Sequence, residues 1–252
     1  MVNHGFSDMA PKLLLLGGTT EASLLARALA ARDVEAVFSY AGRVASPKAQ
    51  PLPTRVGGFG GVAGLVQYLE EHNITHVVDA THPFAAQMSW NAFEACQEAR
   101  RELIALTRPA WKAQAGDRWT HVADIHGAVA ALAGDPKRVL LALGKLNVPA
   151  FAVQSQHHFV LRLVDQPEEQ PGLPNHTVVV ARGPFDVAGD RALLQKYNIE
   201  LVVCKNAGGV GAEAKLIVAR ELGVPVIMID RPNLPPRCEV AAVDEVLEWV
   251  TS

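Results

Sequence analysis

The chain has 252 residues, is 49% hydrophobic, and sets 23 Lys+Arg against 26 Asp+Glu for a net charge of −3 at pH 7. That length and composition support a sizeable core in one or two globular domains, and the charge gives no global reason to bind nucleic acid or an anionic membrane. Cys96, Cys204 and Cys238 lack metal-ligand spacing, residues 1–11 lack the apolar core of a signal peptide, and no run approaches about 18 apolar residues, so a cytoplasmic protein without a membrane span or metal is expected.

The first strong pattern runs from Leu13 to Asp33, LLLLGGTTEASLLARALAARD. Four consecutive leucines predict a strand buried on both faces, and Gly17-Gly18 turns the chain into a helix beginning near Thr19 and Thr20, whose hydroxyls suit an N-cap. Strand, glycine turn and helix open a nucleotide-binding βαβ unit, because glycine admits a phosphate close to the backbone and the helix N-terminus favours its charge. In the dinucleotide pattern G-x-G-x-x-G/A, Gly17 and Ala22 hold the outer places and Thr19 replaces the middle glycine. The next strand, VEAVFS, ends at Ser39 without the acid that would hold a ribose 2′-hydroxyl, and Arg43 follows. A serine with an arginine suits the 2′-phosphate of NADP, which an acid would repel.

Residues 57–61 form a second glycine-rich helix entry, GGFGG, centred on Gly58 and Phe59. It suits either another part of the cofactor or a tight packing turn. ITHVVDA then predicts a strand whose carboxyl end carries Asp79, Thr81 and His82, on the edge where open α/β sheets place ligands. After ELIALT, the segment RPAWKAQAGDRW sets Arg108, Trp111, Lys112, Arg118 and Trp119 in one loop, a mixture suited to a flat polyanion. DIHGAVAALAGDPKR is expected to complete the first half, with a boundary near residues 134–137.

The second half restarts with RVLLAL and the strand-end pair Gly144-Lys145. HHFVLRLVD and TVVVARGPF follow as strands, the latter ending at Arg182, and a helix spans Asp186 to Tyr197. IELVVCKNAGGVGAEAK repeats strand, glycines and helix. Gly209, Gly211 and Ala214 fit G-x-G-x-x-A better than the first turn does, and Asp230 lies where an NAD-binding acid would. Lys205, Lys215 and Arg231 around the same turn suit carboxylates equally well. VAAVDEVLEWV closes the chain as a short strand and an amphipathic helix.

Taken in order, LLLLGGTTEA, SYAGR, RVGGFGG, DATHPFAAQMS, RPAW, GDRW, ARGPF, KNAGGVGAEAK and VPVIMIDRP resemble the precorrin-6A reductase family of cobalamin (vitamin B12) biosynthesis over nearly the whole chain after about residue 12. The resemblance implies an α/β protein of two Rossmann-like halves with mainly parallel sheets flanking a cleft, residues 1–135 binding NADPH and 136–252 binding substrate. It implies NADPH-dependent reduction of one ring double bond of precorrin-6A, a tetrapyrrole rich in carboxylates. The alternatives are the cobalt-containing substrate, or a non-catalytic nucleotide-sensing or carrier protein.

The resemblance also favours the first glycine turn for the cofactor. Gly17, Gly18, Thr19, Thr20, Glu21, Ser39, Arg43, Gly58, Asp79 and Thr81 are thereby expected at NADPH. Arg108, Trp111, Lys145, Arg182, Asn206, Gly208, Gly209 and Lys215 are expected at the tetrapyrrole. Lys205 and His82 are the candidates for orienting or protonating it. Ala207 stands where the family commonly has serine.

Overall fold

The computed structural model describes residues 10–41, 48–167 and 169–251. Its first elements are β1 (Lys12–Leu16), α1 (Thr20–Ala30), β2 (Glu35–Tyr40), β3 (Thr54–Val56), α2 (Gly61–Glu71), β4 (His76–Asp79), α3 (Ala86–Ala99) and β5 (Glu102–Leu106). Then come β6 (Trp119–Val122), α4 (Ile125–Ala130), β7 (Arg138–Ala142), β8 (His158–Leu163), β9 (His176–Val180), α5 (Val187–Lys196), β10 (Leu201–Lys205), α6 (Ala214–Glu221) and β11 (Val226–Ile229). The chain ends with β12 (Cys238–Val240) and α7 (Val243–Thr251).

These strands form two six-stranded sheets, ordered β3-β2-β1-β4-β5-β12 and β9-β8-β7-β10-β11-β6. Every pairing in both is parallel. Counted from its own first strand, each sheet runs 3-2-1-4-5 and then takes a sixth strand, the doubly wound order of a Rossmann-like half. The sixth strands are exchanged. After β5 the chain enters the second sheet as β6, beside β11, and after β11 it returns to the first as β12, beside β5.

The two compact units are accordingly the chain up to Arg108 with everything from Asn233, and Pro109–Pro232. The sequence reading instead cut the chain near 134–137 and kept each closing strand and helix with the half it follows. The difference has a physical cause: a short strand's partner is set by long-range hydrogen bonds that local pattern does not encode.

In the first unit the four leucines divide by the period of two. Leu13 and Leu15 pack with Leu25 and Leu29 of α1 and Val246, Leu247 and Val250 of α7, while Leu14 and Leu16 pack with Leu65 and Leu69 of α2 and Ala92 and Ala95 of α3. α7 therefore supplies core to a unit begun some two hundred residues earlier. In the second unit Leu140, Val160, Val202 and Met228 pack against Leu194 of α5 and Leu216 and Val218 of α6.

Candidate functional site

In a 3-2-1-4-5-6 sheet, ligands bind beyond the carboxyl ends of the first and fourth strands, where successive connections leave in opposite directions. In the first unit that point lies after β1 and β4, which are direct neighbours with Leu16 beside Asp79. Gly17 and Gly18 occupy it for different reasons. A Cβ on Gly17 would stand 2.1 Å from the Phe38 ring, whereas Gly18 has φ +124° and open space where its Cβ would be. Gly17 thus lets the strand end pack tightly, and Gly18 leaves the backbone approachable.

Thr19 is the N-cap of α1. Its hydroxyl accepts from the Ala22 N–H at 3.1 Å and donates to the Ala80 carbonyl at 2.8 Å, fastening the start of α1 to the end of β4. The middle glycine of the usual pattern has given way to a side chain that fixes the helix entry, leaving the N–H groups of Thr20 and Glu21 in the first turn without an intrahelical acceptor. Glu21 is matched by Arg108, at 3.1 and 3.3 Å to its two oxygens. Arg108, which the sequence grouped with Trp111, therefore stands beside the first glycine turn. Thr19, Glu21, Thr81 and Arg108 gather there with Pro83, Leu106 and Thr107.

Asp79 is buried and fully engaged. One oxygen accepts from the Thr81 N–H at 3.1 Å and hydroxyl at 2.6 Å; the other accepts from Ser89 at 2.6 Å and pairs with Arg237 of the returning segment. Asp79 and Thr81 thus shape the strand end with their side chains. His82 is exposed, and its Nδ1 accepts the Phe84 N–H at 3.2 Å. In the neutral ring the proton then sits on Nε2.

Ser39, at the end of β2, is buried, and its hydroxyl accepts from Arg55 Nη1 at 2.7 Å. Arg55 lies directly beside Ser39 on β3. It also donates to the Gly57 and Gly58 carbonyls at 3.0 and 3.1 Å and lies 3.8 Å from the centre of the Phe59 ring. Partial burial lowers its pKa, which the Tyr68 interaction opposes. Sequence reasoning missed Arg55, sixteen residues from Ser39, because only the β2–β3 pairing brings them together; the position called for this role, Arg43, lies outside the described residues. Gly58 borders Arg55 through its carbonyl.

The second unit has its own switch point, after β7 and β10, where Ala142 lies beside Cys204. Lys145 and Lys205 stand at these two strand ends, Lys145 exposed and Lys205 half-buried. Two apolar side chains absent from the sequence reading follow the same two strands in the chain: Leu146, 75% exposed, and Val210, 86% exposed. Their signal was available as apolar residues just past predicted strand ends, but exposure is a tertiary property.

The remaining candidates in this unit are engaged in the fold. Asn206 clamps the Trp111 backbone, accepting its N–H at 2.8 Å and donating to its carbonyl at 3.0 Å, and the Trp111 indole donates to the Gly209 carbonyl at 2.9 Å. Trp111 is buried among α5 and α6 side chains, so its ring is core. Gly208 has φ +71°, and a Cβ there would fall 2.1 Å from the Pro109 carbonyl oxygen. Lys215 is buried with its ammonium on the Ala212 carbonyl and 4.5 Å from the Trp111 ring centre, and desolvation lowers its pKa. Arg182 is exposed beyond the edge strand β9, paired with Asp165 at 2.6 Å, two strands removed from the switch point.

Comparison with known proteins identifies the family and matches the fold. Residues 12–251 match the family model described as "Precorrin-6x reductase CbiJ/CobK". A precorrin-6A reductase of Rhodobacter capsulatus is 59% identical over 239 residues, covering 95% of both chains. One from Mycobacterium tuberculosis is 42% identical, covering 93% of this chain and 94% of its own. A cobalt-precorrin-6A reductase of Priestia megaterium is 29% identical, covering 93% and 96%. The solved structure titled "CobK precorrin-6A reductase" superposes with a TM-score of 0.91 at 59% identity, covering 96% of each chain.

Proposed function

The chain belongs to the precorrin-6x reductase family, and from that premise we propose that it reduces one ring double bond of precorrin-6A in cobalamin biosynthesis with NADPH. Metal-free substrate is favoured because the relatives at 42–59% identity are named precorrin-6A reductases, whereas the cobalt enzyme of Priestia megaterium stands at 29%. NADPH, rather than NADH, is favoured by the absence of an acid at the end of β2 and the presence of Ser39 with a cation.

The observation that carries the division of labour is the chemistry of the two strand-end sites. The Gly18 backbone is open and leads into a capped helix, which suits a pyrophosphate. Lys145, Lys205, Leu146 and Val210 offer cations beside apolar surface, which suits a ring with apolar faces and a carboxylate periphery.

When bound, NADPH supplies the hydride that reaches one carbon of the reduced bond. The other carbon takes a proton, so each turnover consumes one NADPH and one proton. The first-turn N–H groups of α1 would hold the pyrophosphate, beside Glu21, which Arg108 fixes. Lys145 and Lys205 bind carboxylates and orient the ring, and Leu146 and Val210 exclude water from its face. Lys205 or the Nε2–H of His82 delivers the proton.

The test is oxidation of NADPH on adding metal-free precorrin-6A, with the product two mass units heavier. Binding of NADPH without oxidation in the presence of this substrate would overturn the reading in favour of a sensing or carrier role.

A further inference from the structure

Arg55 sits where an NADP-dependent protein needs a reader of the ribose 2′-phosphate. Three facts converge on it. First, β2–β3 pairing fixes it beside Ser39, at the strand end where the ribose-reading residue of a doubly wound half belongs. Second, its hydrogen bonds to Ser39, Gly57 and Gly58 occupy both Nη1 hydrogens and one on Nη2. Among the described residues this leaves Nε–H and the second Nη2–H, two of the five guanidinium donors, for a ligand.

Third, the guanidinium overlooks the entry to α2. That helix is 11 residues long, begins at Gly60 and Gly61 in positive φ, and has no side-chain cap. Its first-turn N–H groups therefore lack the oxygen acceptor that Thr19 supplies to α1. A Cβ placed on Gly57, Gly58, Gly60 or Gly61 would meet nothing within 4 Å, so the backbone around Arg55 is open. The Phe59 ring under the guanidinium holds its plane in place.

Resting on the NADPH reading above, we infer that Arg55, together with the uncapped start of α2, binds the 2′-phosphate and sets the preference for NADPH over NADH. Ser39 acts through Arg55: its hydroxyl accepts a hydrogen bond that orients the guanidinium and offers no carboxylate to repel the phosphate. The residues between Gly57 and Gly61 are glycine on both sides of Phe59 because the phosphate must come close to the backbone.

The experiment measures dissociation constants of NADPH, NADH, 2′,5′-ADP and 5′-AMP for the intact protein and for Arg55→Gln and Arg55→Lys, with thermal unfolding recorded on each. Loss of a charge-assisted contact should weaken NADPH and 2′,5′-ADP by roughly 10- to 100-fold in Arg55→Gln while NADH and 5′-AMP stay within about twofold. Arg55→Lys should recover part of the loss, since it keeps the charge and gives up the fork. Equal weakening of all four ligands would mean that Arg55 only supports the turn, and unchanged discrimination would remove it from the phosphate; either result overturns the inference. If the intact protein itself bound NADH as well as NADPH, the reading on which the inference rests would fail first. Should Arg55→Gln not fold, Arg55→Lys carries the same comparison, and full retention of the NADPH-to-NADH ratio with reduced affinity for both would refute the assignment.

Discussion

The two switch points share a strand order and differ in the connection that leaves them. After β1 the chain passes through two glycines into a regular helix capped by Thr19. After β7 it enters a 3₁₀ segment, Lys145–Val153, with Pro149 inside and no side-chain cap, and the turn after β10 is again 3₁₀, Val210–Ala212, before α6 begins. A capped α-helix gathers aligned N–H groups at one point and suits a compact phosphate charge. A 3₁₀ segment aligns fewer N–H groups, and at the second switch point the exposed groups past the strand ends are side chains, Lys145, Leu146 and Val210, with Lys205 half-buried. Topology sets where each site lies; the type of connection decides its chemistry.

The comparison breaks most sharply at Lys205. If it delivers the proton, Lys205→Met lowers turnover by roughly 10²–10⁴-fold, about 3–5 kcal/mol in the barrier, while NADPH affinity stays put. If it holds a carboxylate, the Michaelis constant for precorrin-6A rises and turnover is nearly kept. Wild-type kinetics at every substrate concentration would take Lys205 out of the site.

Next in size is the pair that fixes the first switch point. Asp79→Ala takes from the buried Arg237 guanidinium its buried carboxylate and leaves only the more exposed Glu239, 3.4 Å away, so it should cost about 3 kcal/mol of stability in urea unfolding, whether or not ligand is present. A loss below about 1 kcal/mol would show that the returning segment does not anchor β4. This also tests the strand exchange, because Arg237 reaches Asp79 only if β12 lies in the first sheet.

Leu146→Ser with Val210→Ser should raise the substrate Michaelis constant by roughly tenfold, in line with losing part of two buried apolar contacts. Both side chains are exposed in the free protein, so its melting temperature and NADPH affinity should not change. An unchanged Michaelis constant would leave the second site to the lysines alone.

A smaller effect separates Lys215 from its neighbour Lys205. Burial lowers the Lys215 pKa, so between that value and the ordinary lysine range the unfolded chain binds more protons than the folded one, and the Lys215 contribution to stability rises with pH. Lys215→Met should abolish this component. The wild-type minus variant stability difference should therefore climb as pH rises towards the ordinary lysine range, by no more than about 1.4 kcal/mol per unit. A flat difference would mean that the ammonium is hydrated in solution. Smallest of all, Arg182→Ala should leave both stability and kinetics essentially unchanged, because its ion pair with Asp165 is exposed and lies off the switch point.

The sequence by itself determined the repeating unit. The leucine run, the glycines after β1 and β10, and the helical periods that follow are local demands of backbone dihedrals and hydrophobic period, so α/β class, the first glycine turn and the strand-end places of His82, Lys145 and Lys205 were legible. Tertiary structure decided what depends on partners distant in the chain. It placed β6 and β12 in each other's expected sheets, turned Trp111, Asn206 and Lys215 inward, and joined Arg108 to Glu21 and Arg55 to Ser39. Those outcomes follow from hydrogen bonds, burial and charge pairing between segments tens to hundreds of residues apart, and a residue's type and its neighbours in sequence carry no record of which such partner it will meet.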